Sequence, residues 1–402
     1  MVDFPDSVEV VQREFSTWMD SHWNPELSLR EWRETFVDSG WSVPQWPENL
    51  FGRGLPAWSE GVVSAELKRR GAPGLPIGGG TFLAGPTLLE HGSAHLQSLF
   101  LRNILVGETH WCQLFSEPGA GSDLAGLSTK AILDGDEWVV NGQKVWNTSA
   151  HHADYGILIA RTDSSVPKHA GITYFIIPMH QEGVTVRPLR QMNHHQSFNE
   201  VFFTDARIPK DWVIGEINKG WTVAHTTLAY ERKFGATFGE TRTRGSGRAA
   251  SEAHDEWVEF METYKWYPQR AGRVDLVVPQ LTNTGHGHDV TARDEAMKVI
   301  SLQRASAWTA ERARVMRDLG HPPGPEGSVG KLATSSAARL ASHVLARTTG
   351  ADAMLDSSDD SVEGIVSEVI LSVPAQSIAG GTDEIQKNIL GERILGLPRE
   401  PQ

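Results

Sequence analysis

With 402 residues the chain is long enough to bury a large core and to hold two or three structural units. Its formal net charge of −13 argues against nucleic acid and against an anionic membrane surface as partners. A single cysteine, Cys112, excludes an internal disulfide and fits a reducing compartment.

Residues 8–38 carry helical period in VEVVQREFSTWMD and SLREWRETFVDSG, with Gly40 just past the end as a helix C-cap requires. The start, MVDFPDSVEVVQREF, is acidic and lacks the regions of a signal peptide, so a cytoplasmic location is expected. Trp18, Trp23, Trp32, Trp41, Trp46 and Trp58 cluster early, and amphipathic helix packing accounts for them without a ligand role. PQWPENLFGRGLP breaks the helical pattern, which resumes at WSEGVVSAELKRRG and from PTLLEHG to LFLRNILVG. Between about 111 and 215 short β-rich runs (YGILIA, ITYFIIP, VTVRPL, NEVFFTD) predict a small antiparallel barrel or sandwich. From Trp221 onward long helical stretches return. The expected organisation is α+β: a helical domain over 1–110, a β-domain over 111–215 and a helical bundle over 216–402. No segment reaches the roughly 18 apolar residues that would span a bilayer.

Two motifs stand out. FSEPGAGSD (115–123) packs small residues into a tight turn, where backbone can come close to a ligand. GQKVWNTSA (142–150) puts Trp146 and Thr148 at i and i+2 after a strand-like run. If the strand continues through them, both side chains share a face, a flat aromatic beside a hydroxyl. That suits a planar heterocycle such as a flavin. On these residues alone an ordinary turn and a core tryptophan remain open.

These motifs, together with GWSVPQWPENLFGRGL (40–55), FNEVFFTDARIP (198–209) and AGGTDEIQKNILGERILGLP (379–398), resemble the acyl-CoA dehydrogenase family. They follow the family's order over nearly the whole chain. The resemblance implies an N-terminal helical domain, a central β-domain and a C-terminal four-helix bundle, with FAD between the last two. It also implies proton removal beside a CoA thioester and hydride transfer from the β-carbon to flavin N5. Such chemistry needs a carboxylate base and donors on the thioester carbonyl, because the α-proton is otherwise too weakly acidic.

Many members carry the base immediately before the Gly-Thr pair of the C-terminal motif, where this chain has Gly380. A subgroup carries it on the first bundle helix, and TTLAYERKF places Glu231 there. The resemblance therefore assigns Glu231 as base and leaves Gly380 its backbone N–H as a donor to the thioester carbonyl. Read from the residues alone, Glu231 is an ordinary helix glutamate. Motif matching nominates Gln113, Phe115, Ser116, Gly121, Ser122, Trp146, Thr148, Thr382 and Glu384 for FAD. Trp146 would cover the ring and Thr148 would bond near N5. Ser122 would lie between flavin and pantetheine, and Arg232 would face the CoA arm.

His286-Gly-His288-Asp289 and His194-His195 have metal-like spacing but no defined further ligands, so no metal site is expected. His151-His152 could line the flavin edge or simply turn the chain. Cys112 has no evident base partner and reads as an inert thiol.

Two family elements are missing. Relatives carry an Arg-x-x-Phe-Gly element after the first bundle helix; here the region reads YPQRAGRVDLVVPQLTNTGHGHDV. Relatives also carry a glutamine followed by Gly-Gly on a later helix; here LARTTGADAML keeps only Gly350. Both belong to the half-site that a neighbouring subunit supplies. Their joint loss points to a second acyl-CoA dehydrogenase-like subunit in an α2β2 heterotetramer, as in actinobacterial members acting on steroid side chains, with a homo-oligomer as the other possibility. The expected function is desaturation of a branched or steroid-side-chain acyl-CoA, with electrons passing to an electron-transfer flavoprotein. An acyl-CoA oxidase on the same fold and a non-catalytic structural subunit are the alternatives.

Overall fold

A computed structural model describes residues 7–235, 245–318, 324–355 and 362–398. The chain divides into two compact units, Met1–Leu189 with Gln196–Thr263, and Arg190–His195 with Tyr264–Gln402.

In the first unit, α1 (Val8–His22) begins where the Ser7 hydroxyl accepts from Val10 N. Helix α2 (Leu29–Asp38) starts in a capping box: Ser28 Oγ accepts from Glu31 N, and Glu31 Oε2 accepts from Ser28 N. Past its end Gly40 has φ +77°, and a Cβ there would lie 2.6 Å from the Gly52 carbonyl oxygen, so only glycine fits. Helices α3 (Ser59–Arg70), α4 (Gly85–His91) and α5 (Ala94–Val106) follow. Phe15, Trp32, Phe36 and Trp41 are buried together, Trp32 stacking on Phe36 at 5.2 Å. The early tryptophans are core as expected, except Trp58, which is exposed.

The middle of the chain forms one seven-stranded sheet. Its strands are β1 (Trp111–Leu114), β2 (Lys130–Asp134), β3 (Glu137–Thr148), β4 (Tyr155–Arg161), β5 (Ile172–Pro178), β6 (Val184–Leu189) and β7 (Phe198–Pro209). The order is β1-β4-β2-β3-β7-β6, with β5 on β4. Pairs β2–β3, β3–β7, β4–β5 and β6–β7 are antiparallel as expected, whereas β1–β4 and β2–β4 are parallel. The chain between β1 and β4 contains the whole β2–β3 hairpin, long enough for the crossover that a parallel pair demands. Strands β4 and β5 are buried on both faces. Ile157, Ile159, Tyr174 and Ile176 join the side that includes α4 and α5 residues; Leu158, Ala160, Phe175 and Ile177 join the other.

Helices α6 (Gly220–Gly235) and α7 (Arg248–Glu262) complete this unit. Helix α7 is tied to α2 by Arg33, whose guanidinium donates to both Glu256 oxygens at 2.6 and 3.0 Å.

The second unit is helical: α8 (Tyr267–Arg270), α9 (Val277–Asn283), α10 (Val290–Asp318), α11 (Glu326–Thr349), α12 (Val362–Ser372), α13 (Pro374–Ile378) and α14 (Asp383–Ile389). Its core joins Val277, Leu281, Val299, Val344, Leu345, Val366 and Val369. The small Ala338 on α11 admits close backbone approach: a Cβ on Gly272 would meet Ala338 Cα at 2.5 Å. Helical, β and helical regions thus follow one another as the sequence implies. No described helix is long and apolar enough to cross a membrane.

Candidate functional site

The two motifs of the β-region are joined through a buried ion pair. Residues Glu117 to Ala120 close a turn with paired bonds, Glu117 N to Ala120 O at 3.0 Å and Ala120 N to Glu117 O at 3.1 Å. The Glu117 carboxylate turns inward and accepts from Ser128 N, Ser128 Oγ, Thr129 N and Lys144 Nζ, all within 2.9 Å. Lys144 has no exposed side-chain surface and also donates to the Phe115 carbonyl at 2.9 Å. Burial alone would raise the Glu117 carboxyl; the Lys144 ammonium and the Thr129 and Ser128 donors outweigh it and hold it at about 2. One residue on, Val145 N donates to Ser116 O. The loop after β1 is thereby fixed to β3 immediately before Trp146.

At Trp146 the strand does not alternate simply. Val145 pairs with Glu200 and Asn147 with Asn199, so Trp146 is the extra residue of a β-bulge. It has φ +63° and is 56% exposed. A bulky residue held left-handed with its ring toward solvent is a strained arrangement of the kind that collects at ligand sites. The indole meets Phe198 edge-on at 5.7 Å, and Phe198 is the register partner of Thr148. The bulge thus replaces the regular pleat expected between Trp146 and Thr148.

Asn147, between them, is buried, and sequence reasoning missed it. Its Nδ2 donates to Gln113 O at 2.8 Å, while its Oδ1 has no partner among the described residues. Asn199 Nδ2 donates to Asn147 O at 2.9 Å and lies 3.1 Å from His151 Nδ1. Partial burial and neighbouring His152 lower the proton affinity of His151, against the Asn199 contact.

Glu231 lies half-buried on α6. One turn earlier Thr227 is fully buried, its hydroxyl 2.9 Å from both the Tyr174 hydroxyl on β5 and the Thr87 hydroxyl on α4. His91 Nε2 meets Thr226, and Tyr230 donates to Glu90. These contacts set the position of α6, and Thr227 and Glu231 share a face at i and i+4. Gln113 Nε2 reaches Glu231 Oε2 at 3.2 Å. Two residues nominated for different tasks are thus brought together.

Phe115 is buried edge-on to Tyr174, with its carbonyl taken by Lys144. Gly121 and Ser122 are exposed at the end of the turn, and a Cβ at Gly121 would meet only open space. The side chain of Arg232 lies outside the described residues. Gly380, Thr382 and Glu384 belong to the second unit. There Gly380 is left-handed at φ +66° and exposed, Thr382 caps α14 by accepting from Ile385 N, and Glu384 is exposed. Asp383 is committed elsewhere: it is buried between Lys331 and Arg339, each at 2.7 Å, and these partners hold its carboxyl well below the usual range against the pull of burial. That makes it a poor base.

Cys112 is buried, and burial pushes its thiol up to about 12, too high for a nucleophile. His195 bonds Glu368, and His286 lies beside Thr284. Among the described residues no cluster could hold a metal.

A flavin fits this donor set. The strained, outward Trp146 ring offers a flat apolar surface, Thr148 a hydroxyl, and the orphaned Asn147 Oδ1 an acceptor that folding alone leaves unmet.

Comparison with known proteins agrees. Family models described as the N-terminal, middle and C-terminal domains of acyl-CoA dehydrogenase match residues 7–108, 112–206 and 290–395. Acyl-CoA dehydrogenase FadE34 of Mycobacterium tuberculosis is 36% identical over 367 residues, 90% of this chain but 45% of that protein, so the chain spans less than half of this relative. Acyl-CoA dehydrogenase IpdE1 of the same organism is 34% identical over 382 residues, 92% of this chain and 88% of the relative. Among solved structures, the ChsE4-ChsE5 complex from Mycobacterium tuberculosis matches at 25% identity with TM-score 0.65, covering 100% of both chains. The Tcur3481-Tcur3483 steroid ACAD shares the fold at 23% identity and TM-score 0.67, covering 98% of this chain and 99% of that one. Fold and matched domains define a flavoprotein oxidoreductase. The chain belongs to the acyl-CoA dehydrogenase family.

Proposed function

We propose that this chain is an FAD-dependent acyl-CoA dehydrogenase in which Glu231 removes the α-proton of an acyl-CoA thioester. The observation that carries this reading is the Glu231 carboxylate itself: it is set on an anchored helix in contact with Gln113, while Gly380, at the alternative position, has no side chain. A carboxylate takes the proton; the Gly380 backbone N–H donates to the thioester carbonyl as negative charge develops on its oxygen. When bound, the flavin supplies the acceptor for the β-hydride, so the substrate loses a proton and a hydride and gains a Cα=Cβ bond. Trp146, Thr148, Asn147 and the turn at Ser116, Gly121 and Ser122 would hold the flavin from the β-region, and Thr382 and Glu384 would contribute from the C-terminal motif. Arg232 would face the CoA arm.

A branched or steroid-side-chain acyl group is the preferred substrate, supported by the steroid enzyme among the fold's neighbours. A second acyl-CoA dehydrogenase-like subunit is the proposed partner. Its support is the absent Arg-x-x-Phe-Gly and Gln–Gly-Gly elements, and the two-component complex among the similar structures. Electrons would pass to an electron-transfer flavoprotein, in the cytoplasm. The test is Glu231→Gln, which keeps size and hydrogen bonding but takes no proton: dehydrogenation falls by about 10²- to 10⁴-fold with flavin still bound. Near-normal turnover would remove Glu231 from the mechanism.

A further inference from the structure

A carboxylate on a helix has freely rotating bonds, and a base needs its oxygen held in one place. We propose that Gln113 is a positioning residue for Glu231, fixing the carboxylate through its side-chain amide; the inference rests on the reading of Glu231 as base. The contact is Nε2 to Oε2 at 3.2 Å, across 118 residues of sequence. A neutral donor suits the task. Its own contribution stabilises the anion less than a lysine or arginine in its place would, and so weakens the base less.

Both ends of this hydrogen bond are braced. On the strand side, Asn147 Nδ2 grips the Gln113 carbonyl and Asn199 Nδ2 grips the Asn147 carbonyl, linking β1, β3 and β7. Both asparagines are 1% exposed, and burying an amide is costly unless its hydrogen bonds are made. On the helix side, the Thr227 hydroxyl, held by Thr87 and Tyr174, fixes α6 one turn before Glu231. A residue kept only for flavin contact would not need its amide nitrogen aimed at the helix.

The experiment follows enolisation of acetoacetyl-CoA on the flavin-loaded protein, where a proton moves from its acidic α-carbon to the base and the enolate is read by its ultraviolet absorbance. Gln113→Met keeps length without the donor. Gln113→Glu keeps shape but sets a second carboxyl against Glu231, so that the two share a proton. The expected order of saturated rates is wild type, then Gln113→Met about tenfold lower, the scale of one hydrogen bond to an ionised group, then Gln113→Glu lower still. Half-saturating acetoacetyl-CoA and flavin content stay within about twofold of wild type. Glu231→Gln is the control. If it loses enolisation while Gln113→Met keeps the wild-type rate, the positioning role is overturned and the base stands. If Glu231→Gln itself enolises normally, the base reading fails first. If both Gln113 variants lose flavin along with rate, Gln113 acts on the cofactor and the inference is overturned.

Discussion

Replacing Glu117 by glutamine removes one charge from a pair that water does not reach. The carboxylate is held at about 2 against an ordinary 4.5, but burial lowers the Lys144 ammonium from 10.5 to about 8, and these opposed shifts leave the intact pair contributing little net stability at pH 7. Breaking the pair from one side is another matter: it costs about 3–5 kcal/mol, because the other charge is stranded. Here the stranded charge is the Lys144 ammonium, with no side-chain exposure and only the Phe115 carbonyl left among its described partners. For a unit of this size about 3 kcal/mol lowers Tm by roughly 6–12 °C. Thermal unfolding of the purified protein at pH 7, followed by far-ultraviolet circular dichroism, reads it directly. The pair also fixes a sign with pH. Because the folded Glu117 value lies below the unfolded one, the carboxylate's share of stability is fully present above about pH 4.5 and is lost as pH falls toward 2. Glu117→Gln should therefore flatten that part of the stability profile. A Glu117→Gln protein that melts within about 2 °C of wild type, with an unchanged acid limb, would show that the pair is not ionised in the folded protein.

Other expectations are separable from this one. Trp146→Ala should leave Tm nearly unchanged, since most of the indole is exposed, yet weaken flavin retention and shift the flavin absorption band; full flavin occupancy with an unaltered spectrum would refute the ligand role. The chain expressed alone should bind little FAD, and co-expression with a subunit carrying the missing elements should restore one flavin per heterodimer. The lost arginine–phosphate contact alone is worth about 1.5–3 kcal/mol, and a stable homotetramer with one FAD per chain would sink the partner reading. Gly272→Ala should destabilise the second unit, because its φ of +87° and the Ala338 backbone leave a Cβ no room; unchanged urea unfolding would contradict this.

Much of the fold could be read in advance because local signals carry it. Helices announce themselves through apolar period and through caps such as Ser28 with Glu31, and the antiparallel strands through alternation between turn residues. The parallel β1–β4 pairing could not be read that way, since nothing within a strand states which later strand it will join. Nor could the bulge: VWNTSA continues a strand pattern without interruption, and only pairing with Glu200 and Asn199 reveals the extra residue. At the candidate site, motif resemblance nominated Gln113 and Glu231 individually, but their contact joins a strand to a helix far along the chain and leaves no periodic trace. Lys144 did leave a signal. It stands beside the apolar Val145 in a strand-like run, and a lysine buried there calls for a carboxylate such as Glu117.

The order of the strands has a consequence for how the protein comes into being. Strand β1 carries Gln113 and leads into the Pro-Gly turn, yet its partner β4 begins about forty residues later, after the β2–β3 hairpin. On a ribosome the hairpin can close as soon as it emerges, because its pairing is local. The segment that leads into this turn must wait, exposed, for a distant strand. Contacts of such sequence separation are slow to form, since chain entropy is spent before they reward it. Strand β1 is therefore secured only once β4 has emerged, later than the local β2–β3 hairpin, and it stands to benefit from any chaperone that holds a nascent strand apart from its neighbours.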